Sequence, residues 1–226
     1  MFMTVEERVA SIEPADEATR KAALVKWNAV AKPLGSLGLL EDNVTRICAM
    51  VRDIAFLPER KAVVAFCADN GVVAEGVTQS GPEVTTIVAG NFCTGDTSMC
   101  KMAEIAGAAV VPVDMGMVTP VNHSRMRDMR LAAGTQDMLK GPAMTRAQAE
   151  RGIESGMNLA LELAESGVDL FATGEMGIGN TTTSSAVASV LLGQPVERMT
   201  GPGAGLSREG VQHKIDVIER SIALNA

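Results

Sequence analysis

The chain has 226 residues, of which 46% are hydrophobic, enough for one large domain or a domain with a small appendage around a sizeable core. Its formal charge of −7, the absence of Tyr and the single Trp27 argue against a broad nucleic-acid surface, which needs clustered Lys and Arg. Cys48, Cys67, Cys93 and Cys100 form no CxxC pair and only two His accompany them, so the expectation is buried, reduced thiols in a cytoplasmic protein and no structural zinc.

The N-terminal stretch MFMTVEERVA is amphipathic and acidic, unlike a signal peptide, and no apolar run reaches the length of a membrane span. Helical spacing runs from Pro14 to Ala31, where Lys32-Pro33-Leu34-Gly35-Ser36 breaks it. Ser36 is placed to cap a second helix, Leu37 to Arg52. Lys61 to Ala68 is a continuous β-branched run that predicts an interior parallel strand ending at Asp69-Asn70-Gly71. Val72 to Gly81 reads as irregular, followed by helices from Pro82 through Phe92 and from Ser98 to Ala106. Ala108 to Val113 predicts a second strand, closed by Asp114-Met115-Gly116-Met117. Residues 118 to 144 have weak periodicity and many Met and Arg, and predict a long surface excursion. A long helix over Thr145 to Ser166, a third strand over Asp169 to Ala172 and a helix over Asn180 to Leu192 come next. After a second glycine loop, Gly201 to Gly205, Ser207 caps a last helix from Glu209 to Leu224. The alternation of strand and helix argues for an α/β fold with a parallel sheet.

Between the third strand and its helix lies GEMGIGNTTTSS, Gly174 to Ser185. Glycines at Gly174, Gly177 and Gly179 admit a ligand close to the backbone, and Asn180 to Thr183 offer amides and hydroxyls at a helix start, a favourable place for phosphate or carboxylate. The stretch lacks both the Lys of a P-loop and the dinucleotide spacing GxGxxG. GPGAG either cradles another part of the same ligand or is a tight connection that packs a helix. Asp69, Asp114 and Glu175 stand at three strand ends and either line one cleft or cap the turns that follow. Lys214, on the last helix, reads in isolation as a solvated lysine, and His123 and His213 have no nucleophile partner at motif spacing. Of the fourteen Met, Met115, Met117 and Met176 flank the strand-end acids and are candidates to contact a flat ring.

KPLGSLGLLE, ADNGVVAEGVT, DMGM, GEMGIGNTTTSSA and TGPGAGL occur in that order over most of the chain. Together they resemble the nicotinate-nucleotide–dimethylbenzimidazole phosphoribosyltransferase family of cobalamin synthesis. The resemblance implies a homodimer with a Rossmann-like parallel sheet flanked by helices. Residues 61–226 would form this nucleotide-binding domain, and residues 1–60 an N-terminal helical part of a small domain. The implied reaction moves the phosphoribosyl group of nicotinate mononucleotide to a benzimidazole-type base, needs no cofactor or metal, and involves neither membrane nor nucleic acid. Carried over by position, Gly174, Gly177, Ile178, Gly179, Asn180, Thr181, Gly203, Gly205 and Lys214 would hold the phosphate and ribose, with the amides of Ile178 and Thr181 gripping the anion. Glu175 is the catalytic candidate, and Ser80, Glu83, Ile87 and Met176 border the aromatic base. The family often has a glutamine where this chain has Ile87, a change that favours apolar contact with the base. The family's C-terminal LGEGTGAA-like motif, which carries its general base, does not occur in these residues. Two expectations follow: exposed apolar surface with either dependence on a partner subunit or a tendency to aggregate, and, as an alternative function, a mononucleotide-binding protein without the chemistry.

Overall fold

The run Lys61–Ala68 is strand β1, and its continuous apolar character is explained by burial on both faces. In this computed structural model, which describes residues 4–226, it pairs in parallel with Ala108–Gly116 (β2) on one side and Leu170–Met176 (β4) on the other. The two-residue strand Arg127–Asp128 (β3) adds to β2, giving an all-parallel sheet of order β3-β2-β1-β4. Glu83–Thr94 (α4) and Ser98–Ala106 (α5) lead from β1 to β2, and Arg146–Glu165 (α6) leads into β4. Side chains alternate across the sheet. Ala65 and Cys67 pack with Ala89, Phe92 and Cys100 on one face, whereas Val64 and Val113 pack with Leu159 and Leu163 on the other. Asn180–Leu192 (α7), Val196–Met199 (α8) and Arg208–Asn225 (α9) follow, and Ala186, Val196, Ile215 and Ile218 join Val72, Val77 and Met138 in a third cluster.

Arg60–Ala226 forms one compact unit, and a second lies within Met1–Glu59. In the latter, Val5–Ala10 (α1) starts from a reciprocal Thr4–Glu7 capping box, and Glu17–Asn28 (α2) is capped by Asp16. Of MFMTVEERVA, Met1, Phe2 and Met3 lie outside the described residues. Leu39–Val51 (α3) starts at Gly38, with φ +56°, and takes no side-chain cap. The Ser36 cap is therefore corrected: the turn Pro33–Ser36 precedes another turn before the helix begins. Glu41 instead reaches back to the Leu37 amide at 3.1 Å and pairs with Lys32 at 2.8 Å, which holds its carboxyl below the usual range.

Three other expectations are corrected in Arg60–Ala226. β4 runs to Met176, so Gly174 and Glu175 are strand residues rather than turn residues. The segment after β1 contains a 3-10 helix, Gly71–Glu75. The excursion over 118–144 is not wholly superficial, since Met138 is buried and β3 joins the sheet. All four cysteines are buried and free, and burial pushes the Cys67 thiol up to about 12. Among the described residues, no helix is long and apolar enough to cross a membrane.

Candidate functional site

β1 sends its connection through α4 and α5 to β2, while β4, on the other side of β1, receives its chain from α6. The strand order thus reverses between β1 and β4, and the crevice beyond their carboxyl ends is where open α/β sheets take ligands. The turn Gly177–Gly179 closes that crevice. Gly177 runs so close beneath β1 that a Cβ would overlap the Ala68 carbonyl oxygen. Gly179 has φ +88°, a left-handed conformation that glycine adopts without strain, and it opens α7 with no side-chain cap. At the start of α7 the Asn180 and Thr182 amides donate to the Gly177 and Gly179 carbonyls at 3.0 and 2.9 Å, which leaves the Thr181 amide open at the dipole end. The Ile178 amide is also occupied, because it donates to Thr85 Oγ1 at 3.0 Å. That corrects its expected part in gripping an anion and leaves Thr181, in the first turn of α7, as the amide of that pair with no intrahelical acceptor.

Opposite this helix start, α9 carries Lys214, which is 1% exposed and corrects the solvated reading. Its Nζ donates to Thr181 Oγ1 at 2.8 Å and to the Gly201 carbonyl at 3.4 Å. An ammonium has three protons, so one remains for a further acceptor. Among the described residues no carboxylate lies within ion-pair distance of it, and burial lowers its pKa. A buried, unpaired cation beside an open helix N-terminus favours an anion.

A cavity of about 100 Å³ lies at this point. It is lined by Gly177, Ile178, Gly179, Asn180 and Thr181 from the first loop, by Gly203 and Gly205 from the second, and by Lys214 and Ser80. It contains no acidic side chain. At ~30 Å³ per water, the space suits a group of phosphate size. GPGAG is thus part of the same hollow as the first loop, and Gln79 Nε2 donates to the Gly205 carbonyl to join the segments. Thr78, Gln79, Pro202 and Leu206 also line it and were not singled out from sequence.

The other candidates lie apart from the cavity. Gly174 is within β4, and Glu175 is exposed beside Phe66, on the sheet face opposite to Met176. Strand alternation, once β4 extends through Met176, explains why Glu175 does not join the loop. Glu83 and Ile87 are exposed one helical turn apart on α4, with the Glu83 carboxylate folded over Gly81. Met176 packs into the α4–α5 core, and Met117 is fully buried there, so Met117 is not a ring contact. Met115 lines a larger hollow of about 600 Å³ against α6. Its only ionisable lining residue is Asp69, so it offers an anion no positive partner.

The strand-end acids do not share a cleft. Asp69 accepts from the Val118 amide at 2.7 Å, and Asp114 accepts from Gly116 and Met117 at 2.9 and 2.8 Å. Both cap turns. Burial raises the Asp114 pKa despite those two amides. The fold then keeps its proton to higher pH than the unfolded chain, so stability falls as pH rises from the ordinary aspartate value of about 3.9 through the raised one. Asp114→Asn preserves an acceptor for both amides. Its stability relative to wild type should increase across that window in urea melts, and a constant difference would contradict the assignment.

A phosphoribosyltransferase family model matches residues 12–226. The nicotinate-nucleotide–dimethylbenzimidazole phosphoribosyltransferase of Ruminiclostridium cellulolyticum is 41% identical over 99% of this chain and 63% of its own length. Its namesake from Pseudomonas fluorescens Pf-5 is 45% identical over 90% of this chain and 58% of its own length. The crystal structure of CobT from Thermus thermophilus superimposes with a TM-score of 0.85 at 35% identity, covering 91% of this chain and 62% of that one. The chain thus spans 58–63% of the length of these relatives.

Proposed function

The chain belongs to the phosphoribosyltransferase family that includes the nicotinate-nucleotide–dimethylbenzimidazole enzymes, and from that premise we propose that it takes part in transferring the phosphoribosyl group of nicotinate mononucleotide to a benzimidazole-type base in cobalamin nucleotide-loop assembly. The observation that carries this reading is Lys214, buried without a carboxylate partner between two glycine loops and an uncapped helix start. In this reading Lys214, the Thr181 amide and hydroxyl, and the Gly203 amide hold the phosphate, and Gly205 shapes the loop around it. Fixing the phosphate orients the ribose for attack at its anomeric carbon, which removes much of the entropic part of the barrier. The exposed Glu83–Ile87 face of α4 and Met176 provide the border for the base, where the aliphatic Ile87 favours apolar contact. We assign Glu175 no proton-transfer role, because it points away from the loop. We further propose that the protein works in the cytoplasm as a homodimer. Exposed apolar side chains such as Leu39 and Val25 in the first unit and Leu191 on α7 support an interface.

Titration calorimetry with nicotinate mononucleotide tests this reading. Saturable binding, competed by inorganic phosphate, is expected. The phosphate stabilises the charged form of Lys214, whose pKa is depressed in the free protein. Affinity should therefore fall as pH rises through that depressed value, with proton uptake on binding above it. Binding that ignores both phosphate and pH would reject the site.

A further inference from the structure

We propose that Thr85 and Asn70 are positioning residues of the anion loop, acting through the two peptide groups that flank Ile178. The proposal rests on reading Gly177–Thr181 as the mononucleotide's phosphate site. Ile178 is the only residue between the two glycines of the turn, and side chains from outside the loop hold both of its polar backbone groups. Thr85, 0% exposed on α4, accepts the Ile178 N–H at 3.0 Å. Asn70, just beyond β1, donates its Nδ2 to the Ile178 carbonyl at 3.1 Å. Asn70 is itself steadied by Thr183, whose hydroxyl proton its Oδ1 at 3.1 Å shares with the Asn180 carbonyl at 2.9 Å. The glycines on either side impose little conformational restraint of their own. These two hydrogen bonds therefore set the directions of the two peptide groups that flank the Ile178 Cα and, through them, the place of Gly179 and the first turn of α7. A released Ile178 N–H would be a half-buried donor free to swing, and the Thr181 amide would lose its aim at the space beside Lys214.

The same contact has a second consequence. Thr85 lies between Glu83 and Ile87 on α4, so the helix that borders the base is tied to the loop that holds the phosphate. Two ends of one ligand would thus be kept in register by a hydroxyl that touches neither. A threonine in this position could be mere packing, but packing alone gives no reason for Ile178 to be held from both sides.

The test compares Thr85→Val with Thr85→Ser in the 226-residue chain. It measures the Kd for nicotinate mononucleotide, the urea midpoint, and hydrogen exchange at the Ile178 amide. Thr85→Val is expected to weaken binding about tenfold and to speed Ile178 exchange, the size of effect that loss of one neutral hydrogen bond and of preorganisation produces. Thr85→Ser keeps the hydroxyl and should remain within about twofold of wild type. Should Thr85→Val fail to fold, Thr183→Ala, at a half-buried position of α7, releases Asn70 and should weaken binding about threefold. Folded Thr85→Val or Thr183→Ala with wild-type affinity would overturn the proposal, as would a serine variant no better than the valine one. Wild-type protein that binds neither the mononucleotide nor inorganic phosphate would reject the phosphate-site reading itself, and the proposal with it.

Discussion

Lys214→Met is expected to abolish measurable mononucleotide binding, a loss of at least about 100-fold, while leaving the fold as stable as before or more so. The two effects have opposite signs because one buried charge serves both states. In the free protein the ammonium is removed from water with no carboxylate to compensate, and burial depresses its pKa. Replacing a poorly compensated buried charge by an apolar side chain of similar length is often neutral or stabilising. The acceptors it leaves, Thr181 Oγ1 and the Gly201 carbonyl, belong to exposed residues that water can reach. In the complex the same charge faces a phosphate, and truncating one partner of a desolvated charge pair costs about 2–5 kcal/mol. Calorimetry and urea melts on one preparation read both quantities. A methionine variant that still binds, but is less stable, would make Lys214 a structural lysine and remove the foundation of the functional reading.

The sheet was readable because its central strands carry their own signal. Lys61–Ala68 is apolar on both faces, and β1 lies between two neighbours. Ser207 was readable as a cap because a hydroxyl bonding its own helix start is a local event. The end of β4 was not. Thr173, Gly174 and Glu175 have a turn-like composition, yet pairing with Val64, Ala65 and Phe66 extends the strand through them. A tertiary ladder overrides weak β-propensity, and the longer strand turns Glu175 away from the loop. The glycine loops were legible for the opposite reason, since close backbone approach needs glycine itself. Lys214 could not be identified as buried from its helix alone, because what covers it comes from other parts of the chain. Asn70 and Thr85 were missed for a related reason. Their partner is Ile178, distant in sequence, and an Asn after a strand or a Thr in a helix has an ordinary local explanation.

Gly177→Ala should damage stability and binding together. The added Cβ would meet the Ala68 carbonyl at the end of the central strand, with Asn70 Nδ2 at 3.1 Å. Neither is the free end of a flexible side chain, so the loop must move. Overpacking of this kind costs about 1–3 kcal/mol. Mononucleotide affinity should fall at least about tenfold in the protein that remains folded, because a loop displaced by even an ångström no longer aims its amides. Gly179→Ala should follow the same pattern: left-handed φ costs a residue with a Cβ about 1–2 kcal/mol, and Val73 Cγ2 lies 2.8 Å from the new atom. Gly90→Ala is the matched control. It lies within α4 with no atom within 4 Å of a new Cβ, so it should gain about 0.5–1 kcal/mol and leave binding unchanged. The decisive comparison is between stability and affinity within one variant. A bend that only packs the sheet would lose stability in Gly177→Ala while its folded fraction bound the mononucleotide as well as the parent. A bend that grips the phosphate must lose both together.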